Sequence, residues 1–544
     1  MKKFIKKNLK WITVILIPLL MTFSFTPFSL WPLSFICFFP LFYLIEVKNF
    51  KFNLKYAIGM GALLGISISI FAFQWLVHTI EVYGHLPKII AVVIFLLYAI
   101  AANIRYIIFF LLILFFQKYI EEKHLANKWY FNRYLFFALS WGFCEHIGWQ
   151  LFPVFGANLA GSNLIFLQIS DIVGIKGLSI LWFFIGHGFF NLITHIQNKN
   201  KITYQKIIKK PFAIALITFL LIHIYGFISY KFWYSKQNNY ASKNVAVIQA
   251  NSPLSFKSNR SRRVFLNQNT KRVFSVARDV ALKQQKKNKK IDLLVLPEGT
   301  LPYASYKTSF ALREQIKLFH ETSNADVILN DILYQRKKFF SNMSIYNKEG
   351  SELSNYQKVY LLPFGEYMPM AEVFPFLQEA FREVSNFTHG SKFELFQSST
   401  AGTILPVVCY EIIQSEFLQN FYSDTKAKAQ LLVNITNDTW FGNSQESMQH
   451  LELGKIRAIE LRRPIVRATN SGVSSYIDIL GNTKDKSKLF NSDEKVYQVK
   501  IANKNHQSIF SLIGYLPLYL IFSCFLIIIG IALFNIGNNF GNRS

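Results

Sequence analysis

The chain has 544 residues, of which 51% are apolar and 17% aromatic, with a formal net charge of +28. So apolar a composition excludes a disordered chain and argues against a purely soluble one. It fits a membrane protein that carries a soluble part, with room for roughly three domain-sized units. The excess charge does not point to nucleic acid, because much of it is lysine in short loops between apolar runs.

The chain opens with Met-Lys-Lys-Phe-Ile-Lys-Lys-Asn-Leu-Lys and then an apolar run. No small-residue cleavage site follows, so this run is expected to be a retained first helix. Apolar stretches long enough to span a bilayer occur near 11–28, 31–46, 56–80, 87–117, 133–152, 168–196, 211–231 and 508–536, which predicts about eight spans. Basic residues alternate with them. Lys2, Lys3, Lys6, Lys7 and Lys10 precede the first; Lys48, Lys51 and Lys55 follow the second. Lys118, Lys123, Lys128 and Arg133 follow the fourth, and Lys199, Lys201, Lys206, Lys209 and Lys210 the sixth. The remaining loops are poor in Lys and Arg, so alternate loops face the cytoplasm and region 232–507 is expected on the outer side. The expected division is a membrane bundle over 1–231, an extracytoplasmic domain over 232–507, and a last helix with a short tail over 508–544. Within the bundle, Gly61 and Gly65 form a GxxxG helix-packing pattern. Arg105, Glu145, His146 and His187 lie in or near spans, where they form either structural pairs or the lining of a polar cavity.

Region 232–507 alternates short apolar runs with helical stretches, which predicts an α/β layered domain. Asn244–Gln249 reads as a first strand, 260–290 as a lysine-rich helix, and Ile291–Leu296 as a buried strand ended by Pro297 with Glu298 at its exit. Asp326–Leu329 is another strand, and Asn347–Gly350 is the turn of a hairpin leading to Lys358. Gly402–Val408 delivers Cys409, and Gln430–Asn434 is followed by the polar, aromatic loop 436–442. Cys409 is the sole cysteine of this region; Cys37, Cys144 and Cys524 lie in apolar segments. A carboxylate, an ammonium and a thiol at strand or hairpin ends suit acyl transfer through a thioester. The carboxylate takes the thiol proton, the thiolate attacks a carbonyl, and the ammonium stabilises the oxyanion. No P-loop, HExxH, paired CxxC or dinucleotide glycine motif is present, so neither metal nor cofactor is expected.

The phrases LPE around Glu298, YQKVYLLPFGEYMP around Lys358 and VVCYEI around Cys409 resemble the Glu-Lys-Cys triad of the nitrilase superfamily. PFGEYMP, NDTWFG and RPIVRATNSGVS narrow the resemblance to the apolipoprotein N-acyltransferases of the bacterial inner membrane. It implies a polytopic α-helical bundle of about eight spans with an inserted nitrilase-like α-β-β-α sandwich, the catalytic domain standing on the periplasmic side. It also implies a ping-pong reaction. A phospholipid, typically phosphatidylethanolamine, acylates Cys409, and the α-amine of a diacylglyceryl-cysteine on an apolipoprotein then takes the acyl chain. Glu298 would be the base, Lys358 the oxyanion stabiliser, Glu366 and Glu411 carboxylates orienting Lys358 and shaping the pocket. Tyr410, Trp440 and Phe441 would contact substrate or gate its entry. Gly299-Thr300 and Phe256 depart from the family pattern near Glu298. Segment 370–387, with Phe374, Phe376, Leu377, Phe381 and Phe387, is expected to form a membrane-facing lid. On the residues alone, a membrane-tethered amidase acting on a small amide, and a ligand-binding carrier or sensor, remain open. The sensor reading requires that replacing Cys409 leave function intact.

Overall fold

The computed structural model describes residues 2–121, 132–197, 211–253, 259–301, 306, 309–380, 385–426 and 428–541. The chain forms two compact units: one comprises Met1–Val77, Lys88–Ser229 and Ile513–Ser544, the other His78–Pro87 and Tyr230–Leu512. The second therefore takes in ten residues, 78–87, that the sequence reading assigned to the bundle.

Helices Leu54–Phe73, Lys88–Glu121, Ser170–Thr194, Phe212–Asn238 and Leu516–Phe534 are long and apolar enough to cross a membrane; they belong to the first unit, apart from the end of Phe212–Asn238 from Tyr230 onward. Two shorter apolar helical stretches, Asn8–Ser24 and Trp31–Val47, and the 15-residue helix Arg133–Ile147 fill the remaining expected positions. Trp31–Val47 is not one continuous α-helix. It runs as a 3-10 turn (Trp31–Ile36), a four-residue α-turn (Phe39–Phe42) and a π-turn (Tyr43–Val47). Pro32 and Pro40 each stand at the start of a piece, where a missing N–H costs nothing but prevents one helix from running through. The over-long fourth segment bends between Ala101 and Ile104. There Asn103 turns its amide to the Ala99 carbonyl at 2.7 Å and to Ser69 Oγ at 2.8 Å.

Gly61 and Gly65 let Leu54–Phe73 lie directly on Ile104–Phe115. A Cβ on Gly61 would stand 2.5 Å from Ile107 Cα, and one on Gly65 would stand 2.4 Å from Asn103 Cβ. Several ionisable groups of this unit meet polar partners within it, Arg105 through NH2 donating to Tyr106 OH at 3.0 Å. Glu145 accepts from Gly156 N at 2.7 Å and from Ser179 Oγ; Glu46 binds the His187 ring and accepts from Asn191 at 3.2 Å. His146 Nδ1 lies 3.3 Å from Lys176 Nζ.

The second unit is built on two six-stranded sheets. One contains β1 (Ser242–Gln249), β2 (Leu293–Val295), β3 (Asp326–Gln335), β4 (Lys338–Tyr346), β5 (Glu352–Gln357) and β12 (Asp493–Lys500), in the order β12-β1-β2-β3-β4-β5. The other contains β6 (Phe396–Ser398), β7 (Gly402–Val408), β8 (Leu431–Thr436), β9 (Ile465–Thr469), β10 (Ser475–Ile477) and β11 (Thr483–Lys484), in the order β11-β10-β9-β8-β7-β6. The central strands β1, β2 and β3 run parallel, as do β7, β8 and β9. Parallel pairing needs a crossover, and helices Asn259–Gln285, Phe310–Thr322, Ser415–Asp424 and Glu446–Leu461 supply it. Val273, Phe274, Ala277, Leu312, Ile316 and Phe319 bury the helices of the first layer against β1–β3. The result is an α-β-β-α sandwich.

Strands β6 and β9 to β12 are not among those read from sequence. The pattern Asp-Glu-Lys-Val-Tyr-Gln-Val-Lys of β12 is too charged to look buried. It is an edge strand that pairs antiparallel with the whole of β1, Ser242 to Lys500 and Gln249 to Asp493.

Gly61→Leu is expected to lower the melting temperature of the detergent-solubilised protein, since overpacking a tight contact costs about 1–3 kcal/mol. Gly530→Leu, where nothing lies within 4 Å of the added Cβ, is the control that leaves it unchanged.

Candidate functional site

The candidate side chains Glu298, Lys358 and Cys409 stand at the exits of β2, β5 and β7, the carboxyl ends of strands, where an open α/β sheet presents its ligand crevice. Pro297 cannot donate a ladder hydrogen bond, so β2 ends and Glu298 turns out of the sheet. Lys358 follows β5, its N–H donating to the Ser341 carbonyl at 2.9 Å and its carbonyl accepting from Gly390 N at 2.8 Å. Cys409 follows β7 with φ +50°, a left-handed conformation that turns the chain sharply into the 3-10 turn Cys409–Ile413.

These exits converge. The Lys358 ammonium lies 2.8 Å from each oxygen of Glu366, and the Glu298 carboxylate and the Cys409 thiol stand close enough to act on each other's ionisation. Lys358 is 1% exposed and Cys409 6%. Burial by itself would lower the Lys358 pKa, but Glu366 and then Glu298 outweigh it and hold the ammonium above its ordinary value. Burial pushes the Glu298 carboxyl up to about 7; Lys358 opposes that rise and Glu366 adds to it. Burial and the facing Glu298 carboxylate likewise push the Cys409 thiol well above its usual range, against the pull of Lys358. At rest the site thus holds a neutral thiol, a fixed ammonium and a carboxyl poised near neutrality.

Glu366 and Glu411 do different things. Glu366 grips the Lys358 amine and also accepts from Leu362 N at 2.7 Å, so the turn 362–366 fixes its position. Glu411 grips three main-chain N–H groups and one hydroxyl: Oε1 accepts from Tyr356 OH (2.7 Å), Val359 N (2.9 Å) and Tyr360 N (3.0 Å), and Oε2 accepts from Val408 N (2.8 Å). It ties the segment after Lys358 to the strand before Cys409. Burial lifts its pKa to about 7, with Lys358 and these donors opposing. Tyr410 and Phe441 are buried, Tyr410 with its ring 5.7 Å from that of Tyr360. Trp440 stays partly exposed, its ring 4.7 Å from that of Tyr83. Phe256 lies outside the described residues.

A second cluster, not singled out in the sequence, sits behind Cys409. Arg467 NH2 lies 3.0 Å from Asp438 Oδ2, and His450 Nδ1 lies 3.4 Å from Asp438 Oδ1 and 3.5 Å from Glu446 Oε1. Asp438 also accepts from Thr436 Oγ1 at 3.2 Å, and Thr436 stands beside the Cys409 thiol. Asp438, Glu446 and His450 are close enough together to hold a cation. However, the Arg467 guanidinium already covers both Asp438 oxygens; it, with His450, holds the Asp438 pKa down to about 2 against burial. The sequence signal for this cluster was an arginine within the apolar run Ile465-Val-Arg-Ala-Thr469, since a charge in a fully buried strand demands a buried partner.

Residues 18–187 match the family model described as the apolipoprotein N-acyltransferase N-terminal domain, and residues 244–502 match that of carbon-nitrogen hydrolases. The chain is 30% identical over 530 residues to apolipoprotein N-acyltransferase 2 of Leptospira interrogans, covering 84% of each. It is 26% identical over 540 residues to the apolipoprotein N-acyltransferase of Haemophilus influenzae, covering 97% of this chain and 95% of that one. Among solved structures, an amidase from Nesterenkonia sp. AN1 overlaps with a TM-score of 0.35 at 15% identity, over 48% of this chain and 92% of its own. The full-length matches, together with the paired domain models, place this chain in the apolipoprotein N-acyltransferase family.

Proposed function

We propose that the protein N-acylates apolipoproteins by a ping-pong reaction in which Glu298, Lys358 and Cys409 are catalytic and a phospholipid is the acyl donor. The observation that carries this reading is the convergence of three strand exits on one buried site, where the enclosed Cys409 thiol and the Glu298 carboxylate face each other beside a Lys358 ammonium fixed 2.8 Å from Glu366. Glu298 takes the thiol proton as Cys409 attacks the ester carbonyl, and Lys358 stabilises the oxyanion. Collapse breaks the acyl ester bond, and the leaving alkoxide takes the proton from Glu298, giving a lysophospholipid and a thioester. The α-amine of a diacylglyceryl-cysteine then attacks the thioester. Glu298 takes its proton and returns it to the departing thiolate, and an amide is released. Phosphatidylethanolamine is the proposed donor. The proposed location is the bacterial inner membrane with the catalytic domain on the periplasmic side, supported by the basic loops.

Both substrates are lipid-borne, and drawing a chain out of a bilayer costs about 0.8 kcal/mol per CH₂. A membrane-facing approach to the thiol avoids that. Met370, Val373, Phe374 and Phe376 are all exposed, Val373 by 69%. Such an apolar patch is unusual on a water-facing surface. It joins the site at Phe387, whose N–H donates to the Glu366 carbonyl at 2.9 Å. Phe381 lies outside the described residues, as does the side chain of Leu377.

Intact-protein mass spectrometry after incubation with phosphatidylethanolamine alone should show a hydroxylamine-labile acyl adduct on wild type and none on Cys409→Ala. Absence of both adduct and lysophospholipid would overturn the reading. Because Glu298 must be ionised to act as base, the acylation rate should rise with pH through a limb near 7. Glu298→Gln should abolish the limb and slow acylation by about 10²–10⁴-fold. Replacing Phe374 and Phe376 together by Ser should raise the apparent KM for lipid by about tenfold or more, the scale of two lost apolar contacts, while thermal stability holds. Unchanged donor kinetics would remove the lid.

A further inference from the structure

Residues 78–87 lie between two apolar helices in the sequence but fold with the catalytic unit, and Thr79 and Tyr83 among them meet one short turn of it. Thr79 Oγ1 donates to the Trp440 carbonyl at 3.0 Å, and Tyr83 OH donates to the Thr439 carbonyl at 2.9 Å. The Tyr83 and Trp440 rings lie 4.7 Å apart at 58°. Thr79 and Tyr83 are four residues apart on helix Leu76–Tyr83, hence on one face. That face meets two consecutive carbonyls of the turn Asp438–Phe441. Gly442, with φ +61°, closes the turn; a Cβ there would stand 2.6 Å from His78 Nε2, so the fit leaves no room for a side chain.

The other end of the turn bears on the reactive residues. Asn437 packs so closely on Gly299, the neighbour of Glu298, that a Cβ on Gly299 would stand 2.2 Å from Asn437 Nδ2. Thr439 Oγ1 donates to Asn437 Oδ1 at 2.6 Å, and Asp438 accepts from Thr436, which contacts the Cys409 thiol. The turn therefore connects Thr79 and Tyr83 on one side with the surroundings of Glu298 and Cys409 on the other. Tyr83 and Trp440 are both partly exposed, and Val82 beside them is exposed. An aromatic pair with one wet edge and one apolar face suits contact with an acyl chain.

We infer that Thr79 and Tyr83 are positioning residues for acyl transfer, holding the turn Asp438–Phe441 so that Trp440 receives the acyl chain of the lipid donor on its way to Cys409. The inference rests on the phospholipid-donor reading above. Without Thr79 the Trp440 carbonyl loses its side-chain donor, and without Tyr83 the Thr439 carbonyl keeps only Gly442 N, so the turn holds Trp440 less firmly.

The test compares wild type with Tyr83→Ala, Tyr83→Phe and Thr79→Val in two assays. One follows thioester formation against the mole fraction of phosphatidylethanolamine in detergent micelles. The other follows alkylation of Cys409 by iodoacetamide, which carries no acyl chain. Tyr83→Ala should raise the apparent KM for lipid about tenfold, as expected when an aromatic contact and a hydrogen bond are lost together, with alkylation unchanged. Tyr83→Phe, which keeps the ring, should recover much of that loss, and Thr79→Val should show a smaller rise in KM than Tyr83→Ala. Lipid kinetics like wild type in Tyr83→Ala would overturn the inference, as would an equal loss in both assays, which would mark a contact that merely holds the fold. A wild type that alkylates but forms no thioester would overturn the phospholipid reading, and this inference with it.

Discussion

A buried ammonium is expensive unless a carboxylate meets it, and the site is arranged around that constraint. Lys358 is almost without solvent, so its charge persists because Glu366 lies 2.8 Å away and Glu298 stands nearby. Once that charge is fixed, much else follows. Glu366 must be held, which the turn after Leu362 does through a main-chain N–H. Glu298 can remain near neutrality rather than rising further, because Lys358 offsets its burial. The thiol can be enclosed without an ion of its own, because its proton has an acceptor beside it.

The two sheets solve the matching geometric problem. Parallel strands end in line, so β2 of one sheet and β7 of the other deliver their exits to a common crevice. Glu411 then fixes the distance between the lysine and cysteine segments with one side chain that accepts four hydrogen bonds. Its placement two residues after Cys409 makes it look like a partner of the thiol. Its bonds show instead a strut between main-chain segments some fifty residues apart. Behind it, Arg467 neutralises Asp438, with His450 against the same carboxylate, in a region with no surface, where an unpaired charge would be destabilising.

The catalytic unit also reaches beyond its own contiguous sequence. A helix end between two apolar segments supplies two donors and an aromatic ring to the turn that carries Trp440. The acyl-transfer domain of this family member is thus completed by residues more than 350 positions away from that turn.

Local chemistry determined what could be read directly. Apolar runs of span length, lysines alternating between loops, Pro297 ending a strand and a hairpin turn at Asn347–Gly350 are each written within a few adjacent residues. The strand and hairpin ends bearing Glu298, Lys358 and Cys409 were legible for the same reason. Tertiary structure alone decided the rest. It broke Trp31–Val47 into pieces, paired the charged edge strand β12 with β1, made Glu411 a strut, gathered Asp438, His450 and Arg467, and carried residues 78–87 into the catalytic unit. Each of these depends on partners distant in sequence, and a hydrogen bond between residues far apart leaves no period, spacing or local composition by which either partner announces the other.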